Sequence, residues 1–448
     1  MAVWSNLNYS EVEEFSRTDA EFFRPEYQKY FQRLKRLGAE KISHFAYITD
    51  GIHASPDIVE DGIRYISAKC VKDNEFIIDN CIHISHKQNA QNPRTQLLAE
   101  DVIITTVGTI GNVAVVEPQI TPCNCDRHVG IIRIKDNQVS PYYLSTFLNS
   151  KYGRFQSLRE SAGNVQLNLY IKNIGHIEVP RLGRHEEEIA SGTKQAYRLR
   201  IKAKTLYLQS QRILKSEIGL DKLKFKKPVG YTARFSELEQ SRRADPEHFY
   251  PAFQNLVSGL PNSIHLAPLG SQLNFCQRGK QPHYSDKGLP VINSKHVQNN
   301  KVVFEDNRLA ILNNGNDPQI RYGDILLNGT GRGTLGRAAP YLIENPAIPD
   351  NHVTILRSLA LDPAYLSFYL NSQAGQLQVE MHQRGTSGQL ELYPFDIRKF
   401  LVWVAPESFQ KEIRKLYNQS AESERRSKEL LQQAKARVEQ LIEEAAAQ

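Results

Sequence analysis

The sequence predicts an α+β fold: two tandem globular α/β domains alternate with two long helices, which pair as an antiparallel coiled coil, and the whole carries a pseudo-twofold internal repeat. Three observations lead there. A proline-free run from Arg184 to Leu220 has helical periodicity, and the sequence before it recurs after it at an offset of about 225 residues. A second run with a comparable apolar stripe closes the chain.

In the first run Ile189, Thr193, Ala196, Leu199, Ala203, Leu206, Tyr207, Ile213 and Leu214 fall on one helical face. Arg198, Arg200, Lys202, Lys204, Gln209, Gln211, Arg212 and Lys215 fill the other. Glu186, Glu187 and Glu188 occupy the first turn, where the helix dipole favours negative charge, and Gly219 supplies a stop. At 1.5 Å per residue, roughly 34 residues span about 50 Å. That is the length of a spacer.

The repeat is read in order. Arg17-Thr18-Asp19-Ala20-Glu21-Phe22-Phe23-Arg24-Pro25 returns as Arg243-Ala244-Asp245-Pro246-Glu247-His248-Phe249-Tyr250-Pro251. The β-type run Gly62 to Lys69 returns as Gly288 to Lys295. Strand-like segments headed by Asp101 and Asp324 precede Gly108-Thr109-Ile110-Gly111 and Gly333-Thr334-Leu335-Gly336, whose glycine spacing marks turns. Asp126-Arg127-His128 matches Asp350-Asn351-His352, and the short helices from Tyr143 and Tyr365 match each other. Gly-led segments follow, Gly163 to Tyr170 and Gly388 to Tyr393, then strands ending in Pro180 and Pro406.

The final helix, Glu407 to Ala447, carries Phe409, Ile413, Leu416, Leu430, Leu431, Ala434, Val438, Leu441 and Ile442 on one stripe around a polar middle, Ser420 to Ser427. Such a stripe needs a partner, and the first long helix has the matching one. The resulting boundaries are a first domain at 1–183, a central helix at 184–220, a linker and second domain at 221–406, and a terminal helix at 407–448. The linker, Asp221 to Phe235, is rich in lysine: Lys222, Lys224, Lys226 and Lys227.

Composition narrows function less sharply. A net charge of +7 from 56 basic and 49 acidic residues is a mild excess that suits a polyanionic partner. No apolar run is long enough to span a bilayer, and the start lacks a basic-then-apolar signal pattern, so a cytoplasmic location is expected. Five cysteines fit a reducing compartment better than a disulfide framework.

The order of repeated elements resembles the specificity subunit of type I restriction-modification systems, the HsdS family. In that family each target-recognition domain ends in a strand and proline, followed by Gln-x-x-Ile at the start of a helix. Pro406-Glu407-Ser408-Phe409-Gln410-Lys411-Glu412-Ile413 fits this pattern. In the first half Glu186 stands in the glutamine's place, three residues before Ile189, after a longer loop. The resemblance covers essentially the whole chain. It implies a non-catalytic subunit that reads the two parts of a bipartite double-stranded DNA target with its two domains. Two methyltransferase subunits would dock on the helices, and motor-nuclease subunits would join through the complex. S-adenosylmethionine, ATP and Mg would belong to those partners, with no cofactor of the chain's own.

Other motifs are weighed against plainer readings. Gly331-x-Gly333-x-x-Gly336 satisfies the dinucleotide fingerprint, but a strand-like stretch follows where a helix is required, so a structural turn is expected. Cys123 and Cys125 with Asp126 and His128, completed by Cys70 and Cys81, could suggest zinc; the second half has no equivalent cysteines, and ordinary thiols are expected. His128 and His352 recur beside Asp126 and Asp350 without a nucleophile or metal set in both halves, which favours structural hydrogen bonds. No Asn-Pro-Pro-Tyr tetrad and no nuclease cluster accompanies Asp57 or Lys69.

For DNA, arginine and lysine suit phosphates and guanine edges, while asparagine and glutamine suit adenine. The candidate contacts are Arg64, Lys69, Lys72, Arg127, Asn164 and Gln166 in the first domain, and Arg278, Lys280, Lys295, Arg332, Arg337, Arg384 and Gln389 in the second. Tyr47, His283 and Tyr284 are candidates for stacking. The alternative is a coiled-coil scaffold or adaptor with two protein-binding heads, which would lack the steep salt dependence of a DNA reader.

Overall fold

The computed structural model describes residues 9–15, 17–135, 138–163, 166–223, 229–312, 317–385 and 389–447. The chain forms two compact units, Met1–Ile201 with Glu424–Gln448, and Lys202–Ser423. Lys224, Lys226 and Lys227 of the linker lie outside the described residues.

The first unit contains β1 (Ala46–Asp50), β2 (Ile63–Ile66), β3 (Val102–Thr105), β4 (Val113–Val115), β5 (Cys123–Cys125) and β6 (Val129–Ile134). These are followed by α1 (Pro141–Asn149), α2 (Lys151–Arg159) and the start of α3 (Arg184–Ile218). An antiparallel sheet has the order β4-β3-β6-β1, and in a second sheet β2 pairs parallel with β5. Strand β3 is buried along its whole length and α1 is buried almost all round, so neither shows an amphipathic pattern.

The second unit repeats this plan. It contains β7 (Phe275–Arg278), β8 (Leu289–Ile292), β9 (Asp324–Asn328), β10 (Ala338–Tyr341), β11 (Ile348–Pro349) and β12 (Val353–Arg357). Then come α4 (Pro363–Asn371), α5 (Gln373–His382) and the start of α6 (Glu407–Ala447). Its antiparallel sheet runs β10-β9-β12-β7, and β8 pairs parallel with β11.

The repeat extends to individual hydrogen bonds. Arg133 grips Asp101 through Nε and Nη2 at 2.8 and 2.7 Å, and Arg357 grips Asp324 at 2.6 and 2.8 Å. Both carboxylates are buried, a position tolerable for a charge only when it is paired. Asn74 and Asn300 share a left-handed backbone, φ 56° and 59°, and accept from Ser145 and Ser367 at 2.8 Å each. Gln156 and Gln378 each cap a strand backbone from both sides, at Glu178 and Leu401 respectively.

Helix α3 begins and ends close to the predicted limits, with Gly219 left-handed at φ 79° just beyond Ile218. In the first unit, Ile189, Ala190 and Tyr197 share a core with Ala434, Val438 and Ile442 of α6. In the second, Leu214 and Ile218 share a core with Ile413. Ser427 Oγ donates to the Ala196 carbonyl at 2.7 Å, and Ser420 Oγ to that of Ala203 at 2.8 Å. Advancing along one helix means retreating along the other, so the pair is antiparallel. Ala196, Ala203 and Ser210 recur at heptad spacing, as do Ser420, Ser427 and Ala434. The serine-rich middle of α6 is therefore a seam of small residues: Ser423 and Ser427 are buried, and each satisfies its hydroxyl on a helix carbonyl. The expected polar interval is structurally part of the helix contact.

Among the described residues no helix is long and apolar enough to cross a membrane.

Candidate nucleic-acid interface

One end of each antiparallel sheet gathers loops from four parts of its unit. In the first unit β1 ends at Asp50, and the next residue must be glycine, because a Cβ on Gly51 would lie 2.2 Å from the Cys125 carbonyl oxygen. The chain then reaches the turn after β5: the Arg127 amide donates to the Ile52 carbonyl at 3.1 Å, and the Thr106 amide to that of His128 at 3.0 Å. The Leu169 amide donates to Thr106 at 2.9 Å, which brings in a loop closed by the Ala162–Asn168 bridge.

The second unit has the same knot. A Cβ on Gly279 would lie 2.2 Å from the Asp350 carbonyl oxygen. The Gly329 amide donates to His352, and the Leu392 amide to Gly329, both at 2.8 Å. Arg384 and Glu391 bridge the loop.

Gly385, not Gly388, is the counterpart of Gly163: each has positive φ (105° and 134°), and a Cβ would lie 2.2 Å from the carbonyl of Gln389 or Gln166. The loop from Arg384 to Glu391 is one residue longer than that from Ala162 to Asn168, which displaces the match. Gly388 itself lies outside the described residues.

The glycine turns behave as expected from sequence. Gly108 and Gly111 have φ 77° and 80°, Gly333 and Gly336 φ 82° and 77°, and each turn leads into a strand, β4 or β10. No helix N-terminus stands there to receive a pyrophosphate.

This rim collects many of the predicted contacts. Arg127 is exposed, with Nε 3.4 Å from His128 Nε2, and Gln166 is exposed in the bridged loop. In the second unit Lys280 is exposed and 3.0 Å from Asp317, while Arg332 and Gln389 are exposed. Arg278 is partly buried: its Nε donates to the Asn351 carbonyl at 2.6 Å, and Nη1 lies 3.4 Å from Glu391. Arg384 grips the fully buried Asp396 at 2.6 and 3.1 Å. Asn164 lies outside the described residues.

The remaining candidates lie elsewhere. Arg64 sits on β2, its Nη1 donating to the Ile120 carbonyl at 3.0 Å. Lys69 and Lys72 are exposed just beyond β2, Lys295 is exposed just beyond β8, and the half-buried Arg337 precedes β10. Tyr47 is exposed on β1, His283 is exposed, and the Arg308 guanidinium covers one face of Tyr284 at 3.3 Å.

The rims are built alike but charged differently. Asp50 ends β1 where Arg278 ends β7. Asp50 accepts from His53 at 2.6 Å and faces Arg94 at 3.4 Å. Asp50, His53, Arg94, Glu391 and Tyr393 were missed in sequence; the shared glycine after each strand, Gly51 and Gly279, was the available signal. Burial raises the carboxyls of Asp126 and Asp350, against the lowering effect of hydrogen bonds from the backbone of His128 and His352. A hydrogen bond with Tyr393 holds Glu391 low. Asp396 is also lowered: burial opposes this, but Arg384 and Lys399 outweigh it.

His128 and His352 serve these turns through their backbone amides, each 2.9 Å from the adjacent aspartate. Among the described residues no group of three or more His, Cys, Asp or Glu side chains could hold a metal ion. All five thiols are free; burial pushes Cys123 up to about 12 and Cys125 well up, while a hydrogen bond with Cys81 lowers Cys70 to about 6.

Geometry thus defines a two-unit, helix-linked chain with a repeated sheet end and two different polar rims. No family model matches it. It is similar to the type I restriction enzyme EcoBI specificity subunit of Escherichia coli, with 25% identity over 130 residues, 29% of this chain and 27% of that subunit. Among solved structures, it is similar to the type I restriction-modification S subunit from M. genitalium, with 12% identity, a TM-score of 0.48, and coverage of 91% of this chain and 95% of that one. The HsdS subunit from Thermoanaerobacter tengcongensis gives 14% identity, a TM-score of 0.29, and coverage of 90% and 96%.

Proposed function

We propose that the chain is the non-catalytic specificity subunit of a type I restriction-modification complex. It reads a bipartite double-stranded DNA target, one part with each unit, while methyltransferase subunits dock on its helices and motor-nuclease subunits join through them. The observation that carries this reading is the duplicated scaffold with unlike rims. Internal braces such as Arg133–Asp101 and Arg357–Asp324 recur, whereas Asp50 and Arg278 differ at matching strand ends. Two readers of different base sequences need that combination. The exposed Arg127, Gln166, Lys280, Arg332 and Gln389 are the proposed contacts to DNA, and Asn164 stays a candidate from sequence. Arg384 and Arg278 support the loops that present them.

The test is a genome-wide map of N6-methyladenine in a host expressing the chain with the neighbouring methyltransferase subunit, against a host lacking the chain. A new two-part motif is expected. Exchanging one unit's rim loops should alter one part of that motif alone; a change in both parts contradicts independent reading. Absence of new methylation, together with failure to co-purify, would favour the scaffold alternative.

A further inference from the structure

We propose that Arg242 holds a DNA backbone phosphate at a cavity on the second unit; this rests on the DNA-reading role above. The cavity, of about 680 Å³, is lined by Arg242, Arg243, Asp245, Glu247, Gln383 and Arg384 among others, and it adjoins the loop bridged by Arg384 and Glu391.

Two of its three arginines are already committed. Arg243 pairs with Asp245 through Nε at 2.8 Å and donates to the Gln383 carbonyl at 2.6 Å. Arg384 is held by Asp396. Arg242 makes no hydrogen bond or ion pair among the described residues, and it is exposed. Its backbone is left-handed, φ 53° and ψ 37°, at the end of the short helix Phe235–Ser241. That conformation favours glycine or asparagine, so an arginine there is strained. Strain without an internal contact points to an external one.

A single unengaged guanidinium beside a polar cavity suits a phosphate oxygen, with the Gln383 side chain on the same wall. The matching wall of the first unit has Ser161 for Gln383 and Ala162 for Arg384. In sequence, Ser16 stands where Arg242 does. The residues on this wall thus differ between the two units.

The experiment compares the full chain with R242G and R242K, each assembled with its methyltransferase partner, for binding to a mixed-sequence duplex over a salt series. R242G removes the charge and the backbone strain together, so its Tm should equal or exceed that of the parent. Its slope of log K against log salt should become shallower by about 0.9, the share of one phosphate contact, while R242K retains the parent slope. The two-part methylation motif should be unchanged, since a phosphate contact carries no base information. A parent with steep salt dependence and an R242G slope equal to it would overturn the proposal and leave the DNA-reading role standing. R242G that weakens only capture of the methyltransferase subunit would place a protein surface there instead. A parent that shows no salt-dependent binding removes both readings.

Discussion

Replacing Arg357 by methionine tests the brace common to both units. The side chain closes on Asp324 with two short hydrogen bonds, and Asp324 is fully buried. Methionine preserves much of the apolar packing against Phe275, over which the guanidinium sits at 4.9 Å, but leaves a buried carboxylate without its cation. Breaking such a pair from one side costs about 3–5 kcal/mol, a large share of the 5–15 kcal/mol that typically separates folded from unfolded. The chain has two compact units, so a melting temperature does not say which of them lost the stability. Amide exchange does: protection should fall by about two to three and a half orders of magnitude, at about 1.4 kcal/mol per decade, in β9 and β12. Protection in β3 and β6 should hold. Adding D324N should restore most of the loss, because the amide oxygen can still accept from the Arg321 amide, now 2.7 Å from Oδ2, without a buried charge. Loss of less than about 1 kcal/mol in R357M, or a double variant no better than the single one, would refute the reasoning that burial, rather than the contact alone, sets the magnitude.

Two further outcomes follow. A196L puts three extra carbons into the seam where Ser427 reaches the Ala196 carbonyl, and overpacking of this kind should destabilise by about 1–3 kcal/mol; thermal unfolding of A196L against L208A, whose parent side chain is half exposed, measures it. His382 is buried, and burial pushes its pKa down to about 4 from the ordinary 6.5, with Asp396 pulling it up and His248, Lys399 and Arg243 down. The folded state refuses a proton that the unfolded chain accepts, so this contribution is intact above about pH 6.5 and is lost as pH falls toward about 4. The change is about 3 kcal/mol in the second unit, and H382Q should flatten it when exchange of α5 is followed across that range.

Much of the fold was legible because repetition averages out local ambiguity. Asp101 and Asp324 at the heads of matching strands, or Tyr143 and Tyr365 in matching helices, are weak signals singly and strong ones as a series. Periodicity also placed both long helices within a few residues. It failed at the seam, where serine reads as polar although Ser427 hides its hydroxyl on a carbonyl of the neighbouring helix. It failed again at Gly163, because a one-residue difference in loop length made Gly388 look equivalent when Gly385 performs the task. The rim was harder still. Arg384 and Arg127 look alike in a sequence, yet one is bound to a buried carboxylate that lies twelve residues away and the other projects into solvent. Tyr197, whose hydroxyl accepts from the buried Val115 amide at 3.0 Å, shows the same long-range dependence.

The seam has an implication for how the two long helices find their register. Alanines and serines spaced by seven offer little shape to tell one heptad alignment from the next, so the seam of small residues by itself discriminates only weakly. The choice falls to the fasteners at the ends: Thr193 against Thr146 at 2.7 Å, Tyr197 on Val115, and Gln410 receiving the Asp362 amide at 2.7 Å. Those fasteners exist only once β4, α1 and α4 are in place. The register of the helix pair is thus written partly outside it, in the strand and helices that each long helix touches within its own unit.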